Sequence, residues 1–230
     1  MMLHGYLPSL LEGLRLTLGV ALASLAVAVL LGLAGAAAKL SGSAFWRRAA
    51  TVYTTLIRGV PDLVLMLLVF YGGQLAVNEI APHLGIDEYV DIDPFIAGVA
   101  TLGFIFGAYL TETFRGAILA IPHGQAEAGR AFGMTPLQVF RRIVLPQMLR
   151  LALPGFANNW LVLVKSTALV SVIGLTDMMQ KAGQAAGATR EPFTFYLAAA
   201  GGYLLITTAS VLALRALEKR WSPGVPAVSL

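Results

Sequence analysis

The sequence contains no cysteine, which removes disulfides, zinc–cysteine sites and thiol nucleophiles from consideration. Charge is scarce. Only 12% of the 230 residues are Asp, Glu, Lys or Arg, against about 25% in a typical soluble domain. The three histidines, His4, His83 and His123, show no metal-ligand spacing. No G-x-x-x-x-G-K-[ST] occurs, so this chain has no loop of its own to cradle ATP phosphates. A nucleophile elbow and an adjacent catalytic carboxylate pair are missing too, so no enzyme chemistry is expected of it. The net charge of +4 is dispersed between apolar runs. That distribution argues against a nucleic-acid-binding face. The first residues, Met1 to Tyr6, carry no basic region of the signal-peptide kind, so the first apolar run is expected to be retained.

What is present is hydrophobicity. The apolar share is 57% and the mean hydropathy is +0.76. A spanning helix needs roughly 20 apolar residues. Five runs qualify: 16–38, 53–77, 94–119, 151–175 and 195–217. The expectation is an all-α, polytopic membrane protein, a single transmembrane domain over 1–230. The tail 221–230, "WSPGVPAVSL", holds two prolines and is expected to be irregular.

Loop charge orients the runs. Lys39, Arg47 and Arg48 follow the first run, and Arg130, Arg141, Arg142 and Arg150 follow the third. Lys219 and Arg220 follow the fifth. Between the second and third lie Glu79, Asp87, Glu88, Asp91 and Asp93, with no Lys or Arg. The basic loops alternate, which by the positive-inside rule places them in the cytoplasm. The N-terminus is then outside and the C-terminus inside.

One cytoplasmic loop interrupts the apolar pattern: "GQAEAGRAFGMTPLQVFRRIVLP", residues 124–146. Gly124 to Phe132 reads as a short helical stretch, ended by Gly133 in the left-handed conformation. Thr135, Pro136 and Gln138 form a capping box with proline at the first helical position. The second helix is expected to run until the residue before Pro146. Leu137, Phe140 and Val144 share one side, widened by Val139 and Ile143, with Arg141 and Arg142 off its centre. Periodicity alone fits either an amphipathic helix resting on headgroups or a docking element for a cytosolic partner.

Glu127-Ala128, Gly133 and Ile143-x-Leu145-Pro146 resemble the "EAA" loop of permease subunits of ABC import systems. Gly129 stands where the family usually has a further small residue, alanine. "TLIRGVPDLVLMLLVFYG", "GAYLTETFRGAI" and "NNWLVLVKSTALVSVIGL" extend the resemblance over nearly the whole chain. They are similar to the polar amino-acid uptake branch, and in particular to membrane subunits that import histidine, lysine, arginine and ornithine. The resemblance implies the type I ABC importer permease fold, with the loop as a coupling helix. Its coupling positions would be Glu127, Ala128, Gly133, Arg141, Leu145 and Pro146. It also implies an ATP-binding cassette dimer that uses the ATP, a second homologous permease subunit and a periplasmic amino-acid-binding protein. The chain itself binds no cofactor. Its surroundings would be the lipid of a bacterial inner membrane.

Ionisable residues inside spanning segments are candidates for the transport pathway. Asp62 follows Gly59-Val60-Pro61, residues that loosen a helix, and lies roughly 15 Å along a segment entered near Val52. Its carboxylate suits a cationic substrate, or it caps a helix or pairs with Arg58. Many permeases of this branch carry an apolar residue there. Lys165 pairs with a substrate carboxylate or with Asp62, or it snorkels to the interface. Ser166 and Thr167 offer hydroxyls, and Pro154-Gly155 are expected to break the same helix. Glu112 pairs with Arg115 three residues on, or serves a gate or the substrate. Asn158 and Asn159 suit interhelical hydrogen bonds or line the path. Gly103 and Gly107 form a packing motif, and Trp46, Trp160 and Trp221 suit interfaces. The reading is a membrane subunit of an ATP-driven, binding-protein-dependent importer of basic amino acids that works by alternating access. The alternatives are a permease for opines or other polar amino acids and an ion-coupled secondary carrier.

Overall fold

The computed structural model describes residues 2–221, and these are helical with no strand among them. Five helical stretches are long and apolar enough to cross a membrane: Leu7–Leu40, Asp62–Leu84, Pro94–Leu119, Pro136–Ile173 and Pro192–Ala216. Nine α-helices compose the described chain: α1 (Leu7–Leu40), α2 (Ala44–Gly59), α3 (Asp62–Ile80), α4 (Pro94–Leu119), α5 (His123–Ala131), α6 (Pro136–Val139), α7 (Leu145–Ser166), α8 (Met178–Thr189) and α9 (Pro192–Trp221). Trp221 thus ends a helix, and the rest of the expected irregular tail lies outside the described residues.

The centre of the bundle is α4, which packs most extensively on α1 and also meets α2, α3 and α7. Small residues bring α1 and α4 together. A Cβ at Gly103 would stand 2.6 Å from Val27, and one at Gly107 would stand 2.8 Å from Leu31. The Gly-x-x-x-Gly pair is therefore a packing face, as its sequence suggests. Phe106, Leu102, Ile105 and Leu110 are fully buried around it. Far more apolar surface stays open on α3 and α9, where Leu68, Leu75, Leu204 and Leu205 are all exposed. In water such faces would aggregate; lipid or other membrane helices are their natural solvent.

Four expectations are corrected. First, α1 begins at Leu7, not near residue 16, because its charged residues are accommodated: Glu12 accepts a hydrogen bond from Lys181 of α8 at 2.7 Å. Second, the run 53–77 is not one continuous span, although the interruption that Gly59 and Pro61 suggest is present. It is cut into α2 and α3 by Val60 and Pro61, both extended. Third, Pro154 lies inside an unbroken α7. That segment changes instead at Thr167, where it tightens into a 3-10 helix over Thr167–Ile173. Fourth, Pro146 does not stop the helix that starts at Pro136. A π-helical turn at Phe140–Val144 carries the chain into α7. Pro146 then sits in the first turn of α7, where its missing N–H costs least.

The acidic connection after α3 is pinned to that helix. Val90 N–H donates to Asn78 Oδ1 at 2.8 Å and Ile92 N–H donates to Gln74 Oε1 at 2.9 Å. Asp93 caps α4 by accepting from Phe95 and Ile96 amides at 2.8 and 3.0 Å. Between the fourth and fifth spans, Asp177 caps α8 by accepting from Gln180 N–H at 2.9 Å, while Met178 N–H donates to Thr17 Oγ1 of α1 at 3.2 Å. Burial pushes the Asp177 carboxyl up to about 6, against the pull of the Gln180 and Met179 amides and the Thr17 hydroxyl.

Candidate functional site

The break between α2 and α3 lies at the start of the second candidate span. No side chain caps α3, whose N-cap is Pro61. No cap hydrogen bond closes the C-terminal end of α2 at Val60. The last carbonyls of α2 and the first amides of α3 are therefore left facing one short extended step. A helix C-terminus favours cations and an N-terminus favours anions, so the break presents both polarities within two residues. Asp62 opens α3 and is half-buried. Among the described residues it forms no ion pair and no cap bond. The guanidinium of Arg58 does not reach it; it lies over the Tyr109 ring, 5.4 Å from the centroid.

Packing sets the depth of this break. Tyr53 Oη donates to the Phe104 carbonyl at 2.5 Å, and Phe104 is in the middle of α4. Gly59, at the break, lines a pocket of about 440 Å³ together with Tyr109 and Glu112 of α4, Lys39 of α1 and Thr54, Thr55 and Arg58 of α2. The break thus lies beside the middle and second half of a spanning helix. The distance of roughly 15 Å along one continuous helix does not hold, because extended Val60 and Pro61 interrupt the helix before Asp62.

Glu112 has a fuller role than its spacing reveals. Arg115 Nε donates to Glu112 Oε2 at 2.9 Å, the i,i+3 pair expected on α4. Lys39 of α1 pairs with the other carboxylate oxygen. Lys39 Nζ also donates to Thr54 Oγ1 at 2.7 Å, which ties in α2. One carboxylate therefore joins α1, α2 and α4. Sequence reasoning missed Lys39, which lies 73 positions away. Its place at the end of an otherwise uncharged run was the available signal.

The remaining substrate candidates lie elsewhere. Lys165 is exposed at the end of α7 and pairs with neither Asp62 nor another carboxylate among the described residues. Ser166 closes α7. Thr167 is fully buried and donates to the Val164 carbonyl at 2.7 Å, which consumes its hydroxyl proton. Asn159 Nδ2 donates to Thr113 Oγ1 at 2.9 Å, the interhelical bond expected of that pair of asparagines. The structure gathers Glu112 with Lys39 and Arg58, and does not bring Asp62 and Lys165 into one pair.

The polar loop folds as a knob. α5 ends at Ala131 with Phe132 as its C-cap, and Gly133 takes a left-handed φ of 78° that turns the chain. Thr135 accepts from Gln138 N–H at 3.3 Å while Gln138 Oε1 accepts from Thr135 N–H at 2.9 Å, the full capping box. The side facing inward differs from the expected stripe. Val139 is 4% exposed and lies against Gly129, where a Cβ would stand 2.6 Å from Ile143. The glycine that departs from the usual alanine is what lets α5 close on the π turn. Leu137 and Phe140 point out instead, and Phe132 is 87% exposed. Glu127, Ala128 and Arg141 are exposed on the same knob, with Leu145 half-buried and Pro146 exposed at its root. The knob therefore presents an apolar tip, with Phe132, Leu137 and Phe140 exposed, and a charged rim.

Five apolar spans around a glycine-packed core, a helix break packed beside α4 and an exposed apolar knob are the features of a membrane transport component. Residues 28–223 match the family described as binding-protein-dependent transport system inner membrane component, and the chain belongs to that family. It is 53% identical to the histidine/lysine/arginine/ornithine transport system permease protein of Salmonella typhimurium, over 100% of both chains. It is 43% identical to the octopine transport system permease protein of Rhizobium radiobacter, covering 94% of this chain and 91% of that one. Among solved structures it superposes on an amino acid ABC transporter crystallised with histidines, with a TM-score of 0.79 and 32% identity over 94% of this chain and 95% of that one. The protein is an all-α, multi-pass inner-membrane permease component with the fold of an ABC importer.

Proposed function

We propose that this chain is the membrane subunit of an ATP-driven importer of basic amino acids, working by alternating access. The observation that carries the reading is Asp62, an uncapped and unpaired carboxylate at a helix break. A cationic side chain would meet Asp62 and the free carbonyls ending α2. The substrate's own carboxylate would meet the α3 amides, with Lys165 and Ser166 as further contacts. Thr167 would hold the end of α7 in position, and Glu112 with Lys39 would close the inner end of the path. The name of the Salmonella relative supports the substrate class. The octopine relative supports a second reading, import of opines, in which the same carboxylate serves a related substrate.

ATP would be bound and hydrolysed by a separate cassette dimer. It would dock on the knob at Glu127, Ala128, Gly133 and Arg141, with Leu145 and Pro146 holding the root. A second homologous permease would complete the path, and a periplasmic binding protein would deliver the substrate. The basic loops would face the cytoplasm, with the N-terminus outside and the C-terminus inside. The chain would act as one domain over 1–230, with 124–146 as its coupling loop.

The test is arginine uptake by the complete complex in proteoliposomes, with ATP hydrolysis measured in parallel. Asp62→Asn should lower uptake and substrate-stimulated hydrolysis at least tenfold while basal hydrolysis persists, as expected for loss of one charge-assisted contact. Unchanged kinetics would remove Asp62 from the path. Uptake without the cassette subunits would point to the ion-coupled alternative.

A further inference from the structure

We propose that the elbow between α1 and α2 binds the phosphodiester headgroup of an anionic phospholipid. A surface pocket of about 590 Å³ opens there, lined by Lys39, Arg47, Arg48, Thr51, Val52 and Arg115. It is distinct from the pocket at the helix break, with which it shares only Lys39. Four cations face it, and the carboxylate bonded among them is Glu112, held by Lys39 and Arg115. The balance is strongly positive.

The cations divide their work. Arg47 Nη1 donates to the Ser41 and Gly42 carbonyls at 3.0 and 2.9 Å, which fixes the elbow. Arg115 spends its Nε on Glu112, and its terminal nitrogens have no hydrogen-bond partner among the described residues. Arg48 is exposed and forms neither a hydrogen bond nor an ion pair among them. Two guanidinium groups are thus available, and guanidinium forks match phosphate oxygens in a bidentate manner. A basic pocket between spanning helices is the arrangement that holds lipid headgroups.

A free phosphate ion shares this chemistry, but the surroundings favour a lipid. The pocket lies where α1 ends and the chain leaves the most apolar of its candidate spans. Phe45 and Trp46, packed edge to face at 5.3 Å, are 69% and 58% exposed beside it. Val52, on its wall, is 56% exposed. Aromatic side chains at that level belong to the headgroup zone. A headgroup in the pocket leaves its acyl chains against this apolar rim.

The experiment is native mass spectrometry of the intact importer complex, delipidated and titrated with phosphatidylglycerol or phosphatidylcholine. The wild type should hold phosphatidylglycerol at least tenfold more tightly. Arg48→Gln should lower that affinity about tenfold, the effect of one lost charge-assisted contact, and Arg48→Lys should recover part of it. Inorganic phosphate at millimolar concentration should not displace the lipid. Equal retention of the two lipids by the wild type would overturn the proposal without any variant having to fold. Displacement by inorganic phosphate would assign the pocket to a free anion and overturn it as well. So would loss of a partner subunit from the Arg48→Gln complex with phosphatidylglycerol still bound, because the surface would then be a protein contact.

Discussion

Two aspartates show how local surroundings decide what a carboxylate is for. Asp62 stands at the start of α3 with no bonded partner among the described residues, which is why a passing cation is proposed as its partner. Asp177 is fully buried, caps α8, and has one oxygen without a hydrogen-bond partner. Burial raises its carboxyl to about 6, above the ordinary 3.8. Because the folded value is the higher one, the ionised form is what folding pays for, and stability rises as pH falls from 7 through 6 toward 4. The whole effect is on the order of 2–3 kcal/mol. Thermal melts of the purified protein at pH 5 and pH 7.5 should show the higher Tm at pH 5. Asp177→Asn keeps a good cap and removes the titration, so its Tm should exceed the wild type's at pH 7.5 and match it more nearly at pH 5. A Tm that falls equally at both values would mean that Asp177 acts only through its cap. In the sequence Asp177 is one charge of a mixed-sign stretch that also holds Lys181, Arg190 and Glu191; only the packing of Thr17, Tyr203 and α8 around it makes it unusual.

At the scale of the element, glycines decide which helices can touch and where chains can turn. Gly103 lies in contact with Val27 of α1, and a leucine there has nowhere to go. Gly103→Leu should cost about 1–3 kcal/mol, the usual penalty for overpacking, read as a lower Tm with membrane insertion intact. Gly133 raises a different matter, since open space surrounds it and only its φ of 78° constrains it. Asn tolerates that conformation and β-branched residues do not. Gly133→Val should therefore abolish ATP-dependent uptake while the chain still inserts, and Gly133→Asn should retain most of it. Equal activity of the two variants would show that the turn is not what couples the knob. This turn and the capping box at Thr135 were legible because their signals are local. The π turn was not, since it arises where a short helix, a packed α5 and Pro146 must be reconciled in one continuous stretch. The inward side of the knob was misread for the same reason: Val139 wins over Leu137 because Gly129 lies opposite it.

For the molecule as a whole, the proposed orientation has a direct test that the absence of cysteine makes clean. A single cysteine placed at Gly42, in the basic elbow, should react with an impermeant maleimide only when the cytoplasmic face is exposed. One placed at Glu88, in the acidic connection, should react in intact spheroplasts. The reverse pattern would invert the topology. The number of spans, their approximate places, the alternation of loop charge and the glycine turn and capping box of the polar loop all follow from sequence alone. Each rests on composition or on signals within a turn or two, and lipid enforces them by excluding unpaired backbone from its interior. The break at Val60-Pro61 was partly legible, because proline and glycine announce a weakness but not its outcome. Tertiary structure decided what sequence spacing cannot express. It brought Lys39 to Glu112 across 73 positions, kept α7 whole through Pro154, and laid α2 against α4 so that the break faces mid-bundle. Those outcomes depend on which helix faces come together, and that is set by close packing between residues far apart in the chain.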